Sequence, residues 1–587
     1  GAGAVVVGSI FKSGDTIRID VQVEDVETGR VLLARNASGT EVFPLVDQLA
    51  LDIRRGLELP ATPAATAVTD VTSTSLAAWE AYEEGVRAFD ALRLADAVAS
   101  FERAIEIDAD FALARARLAS TYSSLGDDAR ARRYRDEALA QADRLPERSR
   151  LYLEGGGALD AGDDERAIEI FERLVDRYPD EAGAYVALNG IVGSKQGDVE
   201  AGLGILERGV RANPQSPQLR NSYAYRLRDL GRYADAIREF EAYRRLEPAE
   251  PNPWDSLGEL YLTVGQPERA LESYAHALEI DPTFFTAYSG RTIALASLGR
   301  FDEAMAELAR WEETTPERDA TILGLDEMRG RVFLAVGRHD EARRAMEEGW
   351  ATSRRFRNSM GFGAEPAIGT MFEAEIAFRD RDWEGTVRLA QQSWESFRGD
   401  SRLAPALRSI FGEFECAALA RLGRSDEALA LASDLDSVAS HPAVAGVPDR
   451  LRGEVALARG ELASAEEFFR RGTGTPKRFF LNQPALIDLM LRVENPPLRD
   501  WEARLAAARG DLPTAIAKYE ALNTPGLDNQ YVAFFEPLYV LERARLLARI
   551  GDSAAAKREY ARFLEYWKKA DAGRPEVAEA RKYVGRG

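Results

Sequence analysis

Apolar residues along most of this chain recur at helical spacing, and the same arrangement of apolar positions returns many times. It is clearest in residues 251–284, where two short amphipathic helices are separated by a glycine. Gly265 suits the end of the first helix because glycine tolerates the left-handed backbone conformation. Pro282 marks the end of the second helix, since proline cannot continue the ladder of backbone hydrogen bonds. The pattern predicts a hairpin of two antiparallel helices.

The turn inside this hairpin repeats at a fixed interval. The sequences Leu230-Gly231, Val264-Gly265 and Leu298-Gly299 are each followed by an alanine shortly afterwards, and the glycines lie 34 residues apart (231, 265 and 299). A fixed period of this size indicates units that stack on their neighbours. Such stacking lets a chain of 587 residues fold without one large core.

The hairpin at residues 251–284 resembles the tetratricopeptide repeat family. The residues that carry the resemblance are Trp254, Leu257, Gly258, Tyr261, Ala270, Tyr274, Ala277 and Pro282. The resemblance implies a mostly α-helical solenoid, a right-handed superhelix in which we expect about thirteen hairpins. It also implies that protein or peptide partners bind on the concave surface, which is lined by the first helix of each hairpin.

Composition and pattern divide the chain into five parts. These are a partial α/β domain (1–59), a Pro- and Thr-rich linker (60–75), a regular repeat array (76–320), degenerate hairpins (321–570) and a C-terminal tail (571–587). Within the degenerate part we expect long loops, either disordered or functional, at 353–368, 472–484 and 523–529. A degenerate hairpin is expected around residues 372–390.

The N-terminal part follows a period of two instead of a helical period. Residues 4–35 predict a three-strand meander, and a helix is expected from about residue 42 to residue 57. This part resembles the small α/β domain related to the amino-terminal fold of TolB, without that domain's first strand and helix. The resemblance rests on Val7-Gly8-Ser9-Ile10, residues 13–19, residues 25–29 and Ala50-Leu51-Asp52-Ile53. In bacterial signalling proteins, that domain precedes tetratricopeptide arrays.

The far end of the chain carries another resemblance. Residues 561–571, Arg574-Pro575-Glu576-Val577 and Ala580 are similar to the terminal segment of bacterial eukaryotic-like Ser/Thr kinases. The two resemblances imply the non-catalytic sensor region of such a kinase, or of a relative with another output domain. They favour an extracytoplasmic location over a cytoplasmic one. The opening Gly1-Ala2-Gly3-Ala4-Val5 is typical of the middle of a strand, so we expect a fragment or a processed product.

The charge and the cysteine count exclude several classes of function. The formal net charge of −21 indicates an acidic surface, which repels phosphate backbones, so nucleic acid is not an expected partner. This surface is either solvated or a site for a basic partner. Cys416 is the single cysteine, so an intrachain disulfide is impossible. His276, His339 and His441 lie too far apart in sequence to suggest a metal site. No apolar run in the chain is long enough to span a membrane.

Catalytic motifs are absent from the sequence. It contains no phosphate-binding loop, no kinase catalytic segment and no nucleophile elbow. Gly155-Gly156-Gly157 is better explained by close helix packing than by phosphate binding. Asp163-Asp164 stands at a helix start, where carboxylates complement the helix dipole. We therefore expect neither enzyme activity nor a cofactor.

The candidate partner-binding residues lie on first helices, at positions complementary to those that face the hairpin core. They are Gln218, Asn221, Tyr225, Arg228, Asn252, Asp255, Glu259, Thr286 and Ser289. Such groups either hold an extended peptide by hydrogen bonds to its backbone or are merely solvated. The expected function is a protein-interaction scaffold or the sensor region of a bacterial signalling protein. The alternative is a structural protein that self-assembles through the solenoid ends or through the sheet edge near Val5.

Overall fold

A computed structural model describes the protein over residues 4–26, 28–57, 73, 75–90, 93–125, 127–315, 321–359, 369–397, 404–437, 446–473, 499–522 and 530–585. Within these ranges the chain forms three β-strands and 28 α-helices. It divides into two compact units, of which the first ends at Leu219 and the second begins at Arg220.

An antiparallel sheet with one helix opens the first unit. Its strands, in the spatial order β1-β2-β3, are β1 (Ala4–Ser13), β2 (Thr16–Asp25) and β3 (Val31–Gly39), and the helix is α1 (Val42–Gly56). Leu45 and Leu49 of α1 pack on Ile19 of β2 and Ala37 of β3. The predicted three-strand meander with a following helix is therefore confirmed.

Four helical hairpins complete the first unit. They are α2 (Leu76–Asp90) with α3 (Leu94–Ile107), α4 (Ala112–Ser124) with α5 (Asp128–Leu139), α6 (Glu147–Asp160) with α7 (Asp164–Arg177), and α8 (Ala182–Asn189) with α9 (Val199–Ala212). A 3₁₀ helix (Ala142–Arg144) precedes α6, and a π-helix (Gly190–Lys195) prolongs α8.

Nine further hairpins follow. The first six are α10 (Pro217–Asp229) with α11 (Tyr233–Leu246), α12 (Asn252–Thr263) with α13 (Pro267–Ile280), α14 (Phe285–Ser297) with α15 (Phe301–Thr314), α16 (Thr321–Ala335) with α17 (His339–Ser359), α18 (Gly369–Arg379) with α19 (Trp383–Phe397), and α20 (Ala404–Arg421) with α21 (Ser425–Asp436). The last three are α22 (Val447–Ala458) with α23 (Leu462–Thr473), α24 (Trp501–Ala508) with α25 (Leu512–Ala521), and α26 (Glu536–Arg549) with α27 (Ser553–Tyr566). A 3₁₀ helix (Gln530–Phe535) precedes α26, and α28 (Pro575–Val584) ends the described chain.

The described residues thus form thirteen hairpins, and the solenoid of tetratricopeptide type that the sequence predicts is confirmed. The degenerate hairpin expected around residues 372–390 is present as α18 and α19. Local sequence explains the turns. Gly231 and Gly265 have φ angles of 72° and 75°, a conformation that favours glycine. Asp163 caps α7, since its side chain accepts a hydrogen bond from the backbone N–H of Arg166.

A small residue on the first helix faces a ring on the second helix of the same hairpin. A Cβ atom added at Gly155 would lie 2.7 Å from the ring of Phe171, and one added at Gly258 would lie 2.7 Å from the ring of Tyr274. Both rings are buried. The helices can approach this closely only because glycine has no side chain. The interpretation of Gly155 as a packing residue agrees with this contact.

The helix α17 is longer than the sequence predicted. It continues to Ser359, so the loop expected to begin at residue 353 is wrong over residues 353–359. The stretch from Ser353 to Ser359 contains neither proline nor glycine, and nothing in its local sequence ends the helix. Likewise α23 extends to Thr473, past the expected loop start at residue 472. The remainder of the loops expected at 353–368, 472–484 and 523–529 lies outside the described residues.

The contact between Gly155 and Phe171 can be tested by adding one methyl group. Gly155→Ala should lower the free energy of unfolding by about 1–3 kcal/mol, because the new methyl overlaps the ring. Gly204→Ala, on an exposed position of α9 with no atom within 4 Å of the new methyl, should raise it by about 0.5–1 kcal/mol through helix propensity. Both residues lie in the first unit, and urea unfolding followed by circular dichroism compares them. A shift in the same direction for both variants would contradict this packing.

Candidate functional site

The nine candidate residues lie on three successive first helices, α10, α12 and α14. Gln218, Asn221, Tyr225 and Arg228 are on α10, Asn252, Asp255 and Glu259 are on α12, and Thr286 and Ser289 are on α14. Side-chain hydrogen bonds join α10 to α12, and α12 packs against α14. The spacing of the repeat therefore brings most of the candidates onto one continuous surface of neighbouring helices.

A polar network links α10 to α12. The guanidinium of Arg228 donates a hydrogen bond of 2.6 Å to Glu259, and the hydroxyl of Tyr225 donates one of 2.9 Å to the other oxygen of the same carboxylate. The Tyr225 hydroxyl also lies 3.1 Å from that of Ser256, which donates a long bond of 3.5 Å to Asn221. The Arg228 guanidinium stacks on the Tyr225 ring at 4.6 Å. Two charges and two hydroxyls therefore join adjacent hairpins.

In this network Arg228 is buried and Tyr225 and Glu259 are half-buried, which differs from the expectation that these residues face solvent. Arg228 is only 6% exposed and also pairs with Asp229 at 3.1 Å. Burial, together with the charge of Glu259, raises the pKa of Tyr225 well above its usual value. The helical pattern of one hairpin does not show which of its polar residues are covered. Glu259 of the next first helix pairs with Arg228, and Phe240 of α11 in the same hairpin lies 4.9 Å from the ring of Tyr225. Arg228 and Tyr225 therefore hold two repeats together.

Other candidates keep part of their surface accessible. Asn221, Asn252 and Asp255 are half-buried. The side-chain amide of Asn252 donates to the hydroxyl of Tyr243 at 3.0 Å, which fixes its orientation. Gln218, at the start of α10, is exposed. The three half-buried residues carry side-chain amides and a carboxylate, which are groups that can pair with a polar backbone.

The first helix α14 is contacted by a segment that lies much later in the same chain. The 3₁₀ helix Gln530–Phe535 packs against α14 and α16, and its Phe534 and Phe535 are each 1% exposed. The Arg379 guanidinium of α18 lies 4.1 Å from the ring of Phe535. A segment from much later in the chain therefore contacts two of the first helices, α14 and α16. The repeat pattern gave no sign of this contact.

Buried ion pairs continue along the later first helices. Glu327 and Arg331 on α16 are 2.6 Å apart, and Glu375 and Arg379 on α18 are 2.7 Å apart. Burial raises the pKa of Glu327, although Arg331 opposes this effect. Sequence analysis missed these pairs. The detectable signal was an acidic residue followed four positions later by arginine, on a first helix whose other residues are mostly apolar.

The last hairpin is fastened to turns that lie far earlier in the second unit. The indole N–H of Trp567 donates a hydrogen bond of 2.8 Å to the carbonyl of Ala335. The backbone N–H of Asp571 donates to the carbonyl of Gly337 at 3.0 Å. Lys569 pairs with Asp302 at 3.0 Å. These contacts hold the end of α27 against the turns that follow α14 and α16.

His339 lies at the centre of this attachment. It is 3% exposed, and its Nδ1 atom lies 2.6 Å from Asp380, to which Arg574 donates a hydrogen bond of 2.6 Å. Burial lowers the pKa of His339, and the charge of Arg574 acts in the same direction. Burial would raise the pKa of Asp380, but hydrogen bonds from His339 and Arg574 lower it to about 2. A neutral imidazole and a charged carboxylate are therefore the favoured forms.

Known proteins match part of the chain. Residues 194–251 and residues 261–325 match family models described as tetratricopeptide repeat. The chain is 30% identical over 224 residues to Superkiller complex protein 3 of Mus musculus, across 35% of this chain and 14% of that protein. It is 29% identical over 138 residues to Protein FlbA of Caulobacter vibrioides, across 23% of each chain. The chain thus spans less than a quarter of the length of either relative.

Solved structures give similar but weaker likenesses. The crystal structure of the APC/C hetero-tetramer Cut9-Hcn1 aligns with 75% of this chain and 83% of that chain, at 17% identity and a TM-score of 0.41. A thermophilic tetratricopeptide protein of Thermus thermophilus aligns with 37% of this chain and 99% of that chain, at 24% identity and a TM-score of 0.25. The matches to the family models show that residues 194–251 and 261–325 contain tetratricopeptide repeats, a type of unit found mainly in protein-interaction scaffolds.

Two other features were considered only for the residues that the structure describes, a metal site and a membrane-spanning helix, and neither occurs there. There, no group of three or more His, Cys, Asp or Glu residues is arranged to hold a metal ion. Among the helices of the same ranges, none is both long and apolar enough to cross a membrane.

The buried pair of Arg228 and Glu259 yields a prediction about stability. Arg228→Ala should lower the free energy of unfolding by about 3–5 kcal/mol, because it leaves the Glu259 carboxylate buried without its main partner. Arg232→Ala is the matched control, since that half-exposed arginine pairs with Asp235 at the surface and should cost about 1 kcal/mol or less. Chemical unfolding of both variants measures the difference. Equal costs would contradict the burial of the network.

The surroundings of His339 yield a prediction about pH. The pKa of His339 is lower in the folded chain than in the unfolded chain. As the pH falls through about 6.5, the unfolded chain therefore binds more protons than the folded chain does. The contribution of His339 to the free energy of unfolding is therefore present above this pH and is lost on acidification. Between pH 7.5 and pH 5.5, His339→Gln should lose less stability than the wild type. His276→Gln, at an exposed position, should keep the wild-type difference. Unfolding midpoints at the two pH values decide the matter, and identical losses in all three proteins would refute the role of His339.

Proposed function

We propose that this chain is a non-enzymatic scaffold that holds an extended segment of a protein partner on the first helices α10 and α12. The observation that supports this most directly is the set of half-buried polar side chains on two adjacent first helices, Asn221, Asn252 and Asp255. The network of Arg228, Tyr225 and Glu259 keeps these helices in fixed relation. A partner would therefore bind with little loss of conformational freedom in the scaffold.

An extended peptide suits this surface chemically. Side-chain amides both donate and accept hydrogen bonds, so asparagines can pair with the N–H and C=O groups of a peptide backbone. Asp255 and the overall acidic charge of −21 favour a basic side chain in the partner. Gln218 would extend the surface at one end. Thr286 and Ser289 would extend it at the other, as far as the segment Gln530–Phe535.

We place this scaffold in bacterial signalling, as the sensor region of a kinase or of a related protein, on the extracytoplasmic side. Two resemblances support this setting. One is between the first 57 residues and the domain related to TolB, and the other is between the segment from Ala561 to Ala580 and the terminal segment of the bacterial kinases. The match with the Caulobacter vibrioides protein is compatible with a bacterial setting.

The proposed surface can be tested with a peptide selected from a displayed random library on the wild-type protein. The double variant Asn221→Ala and Asp255→Ala should weaken binding of that peptide at least tenfold, or about 1.4 kcal/mol, when measured by calorimetry. The control is Glu268→Ala with Glu272→Ala, which removes two exposed charges from the outer helix α13. It should leave the affinity unchanged, and neither variant should alter the melting temperature much. A peptide that binds all three proteins equally would place the site elsewhere.

A further inference from the structure

His339 lies between two opposite charges, at the place where the last hairpin touches earlier repeats. Its Nδ1 atom is 2.6 Å from the Asp380 carboxylate and 3.2 Å from the Nη1 atom of Arg574. A charged carboxylate only accepts hydrogen bonds, so Nδ1 carries a proton and donates it to Asp380. The other ring nitrogen, Nε2, is therefore the atom that would bind an additional proton.

An additional proton on Nε2 is poorly accommodated. His339 is 3% exposed, and among the described residues its hydrogen bonds involve Nδ1 alone. The new N–H group would therefore be buried without an acceptor. Asp380 attracts a charged imidazole, but burial and the positive charges of Arg574 and Arg379 outweigh this attraction, so the pKa of His339 lies below its ordinary value. Protonation turns a neutral neighbour of Arg574 into a repelling one.

Charged side chains from the elements around His339 complete this cluster. On α17 they are Asp340 and Arg343, on α18 and in the turn after it Arg379 and Asp380, and near the start of α28 Asp571, Arg574 and Glu576. The end of α27 contributes the ring of Trp567, whose centroid is 6.1 Å from that of the imidazole. The pKa of Asp380 is about 2 despite its burial, so this carboxylate stays charged at pH 5. Histidine is the residue type in this set whose ordinary pKa lies between pH 5 and pH 8.

The connection between α27 and α28, residues 571–574, joins the last hairpin to these repeats, and we call it the tie segment. The backbone N–H of Asp571 donates to the carbonyl of Gly337 at 3.0 Å, and the Asp571 carboxylate accepts from the backbone N–H of Asp340 at 3.1 Å. Arg574 holds the other end of the tie segment by its bond of 2.6 Å to Asp380. The tie segment therefore contacts both the turn before α17 and the turn after α18.

The bond between Arg574 and Asp380 is a weak attachment for a buried arginine. A guanidinium has several N–H donors, but among the described residues Arg574 donates from Nη1 alone. Its Nε atom lies 3.6 Å from Glu576, which is too far for a hydrogen bond. Because this end of the tie segment is held by one charged hydrogen bond, the charge on the adjacent imidazole has a large influence on it.

We propose that protonation of His339 detaches the tie segment from Asp380 and from the turn at Gly337, while the hairpins themselves stay folded. An open tie segment gives the imidazole access to water, so the open form binds the additional proton more readily than the closed form. Acid therefore shifts the equilibrium toward the open form, and the contact is closed at pH 7.5. Trp567 and Lys569 precede the tie segment, and their bonds to Ala335 and Asp302 keep the last hairpin in place.

Hydrogen–deuterium exchange at single-residue resolution tests this switch in the whole chain. The backbone N–H groups of Asp340 and Asp571 are the reporters, since both lose their acceptors when the tie segment opens. Between pH 7.5 and pH 5.5, after correction for the intrinsic exchange rate, their opening equilibrium constant should rise several-fold in the wild type. The rise is limited to about tenfold by the ordinary imidazole pKa of about 6.5.

Two histidine variants assign the change. In His339→Gln the constant should change by less than about twofold, because the glutamine amide can still donate to Asp380 and does not titrate. His276→Gln is the matched control, since His276 is exposed on α13. It should behave as the wild type does.

Three outcomes of this experiment would overturn the proposal. One is equal protection of the two reporters at both pH values in the wild type, and another is the same rise in His339→Gln. The third is a rise shared by the amides of α13, which would mean that the whole second unit loosens. Peptide binding by α10 and α12 at pH 7.5 depends on none of these results, so the two proposals fail separately.

A second pair of variants tests the repulsion between His339 and Arg574. Arg574→Gln should speed exchange of the two reporters at pH 7.5, because the bond to Asp380 is weakened, and should reduce their rise on acidification, because the repelling cation is gone. Arg581→Gln removes an exposed cation from α28 and should match the wild type at both pH values. A merely structural role of Arg574 would speed exchange by the same factor at both pH values, and that result would contradict the switch.

Discussion

The distance between the two helices of a hairpin is the constraint on which the other packing depends. At Gly258 the first helix lies against the ring of Tyr274, and Gly290 of the next first helix lies against the same ring. One aromatic side chain therefore sets both the spacing within a hairpin and the spacing to the next hairpin. Gly155 with Phe171 and Gly453 with Phe469 repeat the arrangement at the same sequence spacing. Since the first helices are positioned by these contacts, the polar residues on their open sides fall into register.

Much of this architecture could be predicted because its signals are local. A turn glycine such as Gly231 or Gly265 predicts a left-handed backbone conformation at its own position. Residues that alternate between the two faces along β1 and β2 predict a sheet with one covered face. The hairpin formed by α18 and α19 lacks a turn glycine and has Arg381 at φ 61° instead, so it was anticipated only from the long gap between the turn glycines Gly337 and Gly423. The number of hairpins follows from adding such local signals.

Contacts beyond the neighbouring repeat could not be predicted, since a period describes only units that are adjacent in sequence. The bond from Trp567 to Ala335 and the packing of Phe535 beside Arg379 join residues that are far apart in the chain. The expectation that Arg228 faces solvent was wrong for a related reason. A helical pattern shows which side of one helix is polar, but it does not show that a carboxylate on the next helix will bury that side. All the candidates lie on the expected first helices, but Arg228 is buried and the ring of Tyr225 packs on Phe240 in the hairpin core.

The chain's own segment at α14 narrows where a partner can bind in the second unit. Phe534 and Phe535 are buried in the 3₁₀ helix that packs against α14 and α16, and a ligand that displaced this helix would expose both rings to water. Burial of one large apolar side chain contributes about 1.5–3 kcal/mol, so their release would offset a substantial part of any binding energy. The segment Gln530–Phe535 packs against α14, α16 and α26, so binding on the proposed surface of α10 and α12 does not require its release. This cost is a reason to propose α10 and α12, and not α14 and α16, as the surface for a partner.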